Sequence, residues 1–314
     1  MSVRNILRSA VVLMVIGFVP VLFAADCELC NAVDMGDDEA AKTLIAQGAG
    51  VNTVNDDKDT PLILAAEKGR PELVDLLLQK KADINLCDGE GESPLMRAIA
   101  MGNWEIAKVL IRKGANVNIA DKLKRTALQY AARKENFEVF QMLLDKKADV
   151  NAKDAEGNTA LLYAVDQGNE KMVQALLKKK ADANVPGTKG KTPLMAAASS
   201  SLPGIVNALL KAKADPNPQD ADGMTALMGA ASLDDVASVK ELLAGKADVS
   251  KKNAKGRTAL MIAAEMGATE VVKMLLAKGA TADDKDEKGK TALDYATDEG
   301  HQKVMELLSK TPVK

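Results

Sequence analysis

Histidine is nearly missing from this 314-residue sequence, which holds only His301. A zinc site built on paired histidines is therefore excluded, and imidazole-based nucleophilic catalysis would rest on that one residue. Charge of one sign is also missing. Lys plus Arg number 42 against 44 for Asp plus Glu, a net charge of -2 with none of the basic excess that nucleic-acid binding requires. Glycines are spread along the chain, and neither a strand-Gly-x-Gly-x-x-Gly-helix unit nor a phosphate loop occurs. Paired carboxylates are too common to mark a catalytic pair. What is present is 47% hydrophobic and 27% charged residues, a balance that supports a continuous core and argues against disorder.

The one long apolar run stands at the start. Arg4 and Arg8 precede Ala10 to Phe23, and Ala24-Ala25 offers a boundary of small residues before Asp26. This is the pattern of a secretory signal over residues 1–25, and the run falls short of the roughly 20 residues of a membrane helix. Leu22 or Phe23 would stand three residues before the cut, where a small residue is preferred, so an uncleaved anchor stays open. A membrane enters only in that case. Asp26 before Cys27 rules out a lipid-modified cysteine.

Downstream, one phrase recurs: Thr60-Pro61-Leu62, Ser93-Pro94-Leu95, Thr126-Ala127-Leu128, Thr159-Ala160-Leu161, Thr192-Pro193-Leu194, Thr225-Ala226-Leu227, Thr258-Ala259-Leu260 and Thr291-Ala292-Leu293. Every step is 33 residues. Thr60 can cap a helix and Pro61 fits its first position, so a first helix begins there, with Leu62, Ala65 and Ala66 on one face. A second begins near Pro71, where Leu73, Val74, Leu77 and Leu78 form a buried stripe and Glu72, Asp75 and Gln79 stay wet. The link from Ala82 to Gly91 is rich in turn formers and reads as a β-hairpin finger. One such unit cannot bury its own faces, so neighbours must stack.

The period and the Thr-Pro-Leu phrase resemble ankyrin repeats over residues 27 to about 310. The resemblance implies an all-α repeat solenoid of helix-turn-helix units with β-hairpin fingers, in one domain over residues 26–314. Nine repeats are expected: an N-terminal cap at 27–54, repeats over 55–285 and a C-terminal cap at 286–314. Two columns depart from the family. The histidine that usually follows Thr-Pro-Leu is replaced by Ile63, Met96, Gln129, Leu162, Met195, Met228, Met261 and Asp294, so packing must stand in for its hydrogen bonds. The methionines there read as core, with copper(I) binding or sacrificial oxidation as the alternatives. The glycine that ends the second helix is kept at Gly48, Gly114 and Gly279 but is Lys81, Lys147, Lys180, Lys213 and Lys246 elsewhere.

Catalysis finds no support, no cofactor is implied, and no metal site is assigned. His301 sits where ankyrin repeats often carry Gly-His and is read as structural. Cys27 and Cys30 form a Cys-x-x-Cys at the start of the first helix; a local disulfide is the leading reading and thiol-redox work the lesser one. Cys87 is left over. The stretch Asp284 to Gly289 only faintly suggests a calcium loop, because its bidentate Glu is missing.

What remains is protein binding, which the resemblance places on finger tips and on the exposed side of the first helices. Those positions run from acidic (Asp56, Asp57, Asp59, Glu90 and Glu92) to basic (Lys122, Lys124, Arg125 and Arg133), then Asp166, and then Lys189 and Lys191. Such segmentation orients a partner. Met101, Trp104 and Phe137 are candidate anchors, whereas Tyr130, Tyr163 and Tyr295 share a column between the helices and are assigned mainly to core. The expectation is a periplasmic scaffold or accessory factor for another protein. An inhibitor or immunity protein against a periplasmic toxin is the alternative. Some exported bacterial ankyrin-repeat proteins are associated with peroxide defence, which makes a periplasmic enzyme one partner the resemblance implies.

Overall fold

The computed structural model describes residues 27–310, so the N-terminal apolar run lies outside the described residues. Eighteen α-helices follow as nine pairs, from Glu28–Met35 with Asp38–Ala46 to Ala292–Asp298 with Gln302–Ser309. The capping threonines act as their sequence suggests. Thr60 Oγ1 accepts the Ile63 amide at 3.1 Å, and Thr225 and Thr258 accept those of Met228 and Met261 at 3.2 and 3.3 Å. Gln129 closes the fourth repeat differently, its side chain accepting the Thr126 amide at 2.8 Å.

First helices pack on first helices and second on second, burying one unbroken core from Cys27 to Leu308. The Leu column of the repeated phrase, from Leu62 to Leu260, is closed to solvent. Ile63, Met96, Leu162, Met195, Met228 and Met261 are buried as well, which is the core role read for that column. Hydrogen bonding is not wholly lost there. Buried Gln129 donates to the carbonyls of Ala152 and Asn158 at 3.1 and 2.8 Å, tying its repeat to the next.

The fingers are tight turns rather than β-hairpins. Among the described residues the one bridge is Ala120 with Thr126, and no strand forms. The reason lies in where the peptide groups go. Gly89, Lys122, Ala155, Ala221, Ala254 and Glu287 each donate their amide sideways to a carbonyl in the preceding finger, at 2.8–3.2 Å. Within a finger only two backbone bonds close the turn, as from Asp88 to Glu92 and from Gly91 to Asp88, and with one further amide spent on the neighbour no strand ladder extends. The series skips the finger after Asn158, where Gly187 replaces the usual Asp or Asn and a short 3-10 turn forms at Thr188–Gly190. There the Asn158 side chain takes the Thr188 amide instead, at 3.1 Å.

A second sideways series runs below the fingers. Asn52, Asn85, Asn118, Asn151, Asn184 and Asn217 each accept the backbone amide 31 residues on, at 2.7–2.9 Å. Three of them, Asn118, Asn184 and Asn217, also donate to the carbonyls of Lys147, Lys213 and Lys246. Those lysines hold left-handed backbone, with φ of 62°, 67° and 66°, as do Lys81 and Lys180. Lysine costs about 1 kcal/mol more than glycine in that conformation, offset in part by its charge at a helix C-terminus. Lys147→Gly is therefore expected to stabilise the chain by up to about 1 kcal/mol, seen as a raised thermal midpoint; a clear fall would contradict the left-handed geometry.

Candidate partner-binding groove

Four fingers open on an aspartate that ties them to the helix behind. Asp88 Oδ1 accepts the amides of Glu90 and Glu92, Asp154 Oδ1 those of Glu156 and Asn158, and Asp286 Oδ1 those of Lys288 and Lys290, at 2.7–2.9 Å. Asp121 Oδ1 takes the Arg125 amide in the same way, at 2.8 Å. The other oxygen faces a side chain nine residues along, on the first helix. Arg97 donates to Asp88 at 2.8 Å, Tyr163 to Asp154 at 2.5 Å and Tyr295 to Asp286 at 2.7 Å. Tyr130 is buried in the core and Tyr163 and Tyr295 pack against it, as their shared column suggested, and each hydroxyl also reaches a finger carboxylate. A half-enclosed phenol needs a partner, and the finger carboxylate supplies it.

At the acidic end this brace becomes a cluster. Arg97 pairs with Glu67 at 2.6 Å, Glu92 at 2.6 Å and Asp88 at 2.8 Å, and lies 3.8 Å from Asp59. Burial raises the Asp59 carboxyl above its usual range, and Arg97 opposes that rise. Glu92 also lies 3.7 Å from Arg125, whose guanidinium pairs with Asp121 at 2.7 Å and rests over the Tyr130 ring at 4.9 Å. The Tyr130 hydroxyl sits between Glu92 and Asp121, so burial and both carboxylates drive its pKa far upward. Burial and the Asp154 carboxylate push Tyr163 up to about 12.

The positions expected to meet a partner therefore divide. Asp59 is buried, and Glu92 and Arg125 are half-buried and engaged, so these three hold the groove together and are not free contacts. Asp56, Asp57, Glu90, Lys122, Lys124 and Lys189 are exposed at finger tips, and Lys191 is half-buried. Arg133 is exposed on the groove side, its guanidinium 5.4 Å above the Tyr163 ring. Asp166 ends the first helix of the next repeat and is open to solvent. Met101 and Phe137 are exposed, while Trp104 is half-buried against the core. All three lie at the turn between paired helices, the end of the repeat away from the finger.

Two features escape a position-by-position reading. Arg97 organises the acidic cluster, and the nine-residue spacing from finger acid to its helix partner was the available signal. Leu123 is an apolar side chain, 53% exposed, at a finger tip flanked by Lys122 and Lys124. It borders a cavity of about 300 Å³ with Arg125, Arg133, Glu156 and Tyr163. Farther along, Arg257 pairs with Glu265 and stacks at 4.4 Å on Tyr295, and Lys290 pairs with Asp298 at 2.5 Å.

Most of the groups suited by type to chemistry serve the structure instead. Cys27 and Cys30 are joined in a disulfide, and both are buried. Burial raises the Cys87 thiol, which keeps it protonated and a weak nucleophile. His301 Nε2 meets the Glu265 carbonyl at 2.9 Å, between adjacent repeats. Asp286, in the stretch compared with a calcium loop, directs its lone pairs inward to amides and Tyr295, and no metal-ready group of side chains occurs among the described residues.

Replacing Arg97 by Met should leave four carboxylates facing one another. We expect a loss of about 2–3 kcal/mol at neutral pH, below the full cost of breaking a buried pair because the cluster is partly solvated. Without the guanidinium the Asp59 carboxyl, already raised by burial, rises further above its unfolded value. That penalty is present where Asp59 is ionised and fades as pH falls through its raised value. Chemical denaturation of both proteins at neutral and at acid pH tests this; an equal difference at both would contradict the assignment.

The helical pairs, the finger turns and the sideways bonding agree with the sequence comparisons. A family model described as ankyrin repeats in three copies matches residues 29–121, 110–186, 128–220, 180–253 and 227–313. No curated protein matches the chain. With nearly all of the described solenoid covered by that model, the chain belongs to the ankyrin-repeat family.

Proposed function

We propose that this chain is an exported periplasmic scaffold that holds a partner protein in its groove at the fourth and fifth repeats. Ankyrin repeats are in general protein-binding modules and not enzymes, and the enclosed disulfide gives an incoming thiolate no access, which weighs against a redox role for Cys27 and Cys30. Export is supported by Arg4, Arg8 and the apolar run that follows them.

One observation carries the choice of site. Once the internally paired charges are set aside, the exposed groove groups at these repeats include Lys122, Leu123, Lys124 and Arg133 beside the cavity at Tyr163, with Glu156 and Asp166 as the acids among them. Lys122 has only a loose pairing with Glu90, at 3.4 Å between two well-exposed side chains. Such a surface fits an acidic segment that carries an apolar side chain. The apolar anchor supplies affinity by filling the cavity, and the lysines supply register and encounter rate. The acidic cluster around Arg97, where four carboxylates outnumber one guanidinium, repels the same segment and fixes its direction along the groove.

The test is affinity capture from a periplasmic extract with wild type and with Lys122→Glu, Leu123→Ser and Lys124→Glu combined. Arg125 is left intact because it braces the finger. We expect the specific partner to be lost or weakened by at least about tenfold, with the fold unchanged by circular dichroism. Equal recovery by both proteins would place the site elsewhere. Loss of binding to a toxin encoded beside this chain would make the scaffold an immunity protein.

A further inference from the structure

The far ends of the second helices carry a feature that neither the core nor the groove uses. Lys81, Lys147, Lys180, Lys213 and Lys246 sit in left-handed backbone with φ from 62° to 67°, at positions equivalent to Gly48, Gly114 and Gly279 with φ from 88° to 91°. A Cβ at those glycines would meet nothing within 4 Å. The two residue types thus differ there in backbone strain and in charge, not in packing. All five lysines are exposed, and none makes an ion pair among the described residues. A strained backbone kept repeatedly for a side chain that makes no ion pair marks a surface whose use lies outside the fold.

The surroundings reinforce the charge. Lys80, Lys146 and Lys179 immediately precede three of the five, and of these Lys179 alone is paired among the described residues, with Asp145 at 3.2 Å. Each of the five lysines also has an exposed aspartate two residues on, Asp83, Asp149, Asp182, Asp215 and Asp248, so the positive excess of the edge comes from the adjoining lysines Lys80, Lys146 and Lys211, unpaired among the described residues. Because stacked helices lie roughly 8–10 Å apart, the cations form a row several tens of ångströms long on one edge of the solenoid.

We propose that this lysine edge docks on an anionic phospholipid surface. Lysine is a hydrated point charge and suits a diffuse planar field, whereas discrete phosphate recognition favours the arginine fork. Among the described residues the edge has no aromatic side chain on which a base could stack, which disfavours single-stranded nucleic acid. Five strained lysines spread over the row match an extended anionic plane better than a compact partner, which one or two repeats would satisfy. The proposal does not depend on the groove's partner.

Co-sedimentation of the full chain with vesicles of phosphatidylglycerol mixed with phosphatidylcholine tests it. Vesicles of phosphatidylcholine alone report any binding contributed by the N-terminal apolar run. We expect binding to the anionic vesicles at low salt and its loss at high salt. Replacing all five lysines by Gly should weaken that binding more than about tenfold while raising the thermal midpoint. Replacing them by Gln keeps the left-handed side chains and should weaken it equally without the rise. The Lys122→Glu and Lys124→Glu variant should bind vesicles as wild type does, which separates this edge from the groove. Absence of binding to anionic vesicles, or unchanged binding by the Gly and Gln variants, would overturn the proposal. So would tighter binding to single-stranded DNA than to the vesicles.

Discussion

A repeat of this chain cannot satisfy its own loop. Its finger amide needs a carbonyl in the preceding finger, its loop amide needs an asparagine 31 residues back, and its helix faces need the neighbouring pair. These demands fall on the same neighbour, so the period of the sequence becomes the translation of the structure. Unpaired buried peptide groups are expensive, and the sideways bonding removes them without any sheet. The ends relax as the partners run out. The second helix of the first repeat buries only Ala41 and Ile45, and that of the last only Val304 and Leu308.

The same bonding makes left-handed residues tolerable. Asn118 and Asn217 hold the carbonyls of Lys147 and Lys246 while accepting the next repeat's amide, so the strained peptide is fixed from both sides. Glycine at these positions would need less holding. The chain instead places a cation where the helix dipole partly welcomes it, and accepts the remaining strain. The asparagine series stops at Ser250, and the following repeat returns to glycine at Gly279, whose left-handed conformation needs no such bracing.

How legible all this was differs by scale. The solenoid, its helix starts and the burial of the column holding Met195, Met228 and Met261 followed from periodicity, because a 33-residue repeat shows the same environment eight times over. The left-handed lysines were legible by register with Gly48 and Gly114. Less legible was which charged residues are free. Asp57 and Asp59 look alike in sequence, yet one is an exposed tip and the other lies buried beside Arg97, because the turn carries its later residue back under the finger. The braces also failed to show, since Arg97 and Tyr130 look unrelated until the acid nine residues before each is noticed. β-Hairpins were expected from turn chemistry alone, which cannot reveal that the finger amides point sideways.

Bracing and binding compete for the same charges, and the competition shapes the groove. A finger must be rigid for its tip to recognise anything, and rigidity here uses carboxylates, guanidiniums and phenols that would otherwise be contacts. Around Arg97 the competition goes to bracing, so that end is heavily paired and negative. At the finger of the fourth repeat Asp121 is braced by Arg125 and Tyr130 together, which frees Lys122, Leu123 and Lys124 to face outward from a fixed turn. Left-handed Lys124 replaces the glycine found at the same place in the next finger, Gly157, and so adds a charge where the family needs only a turn. The proposed recognition surface therefore rests on a turn whose own charges are already paired beneath it.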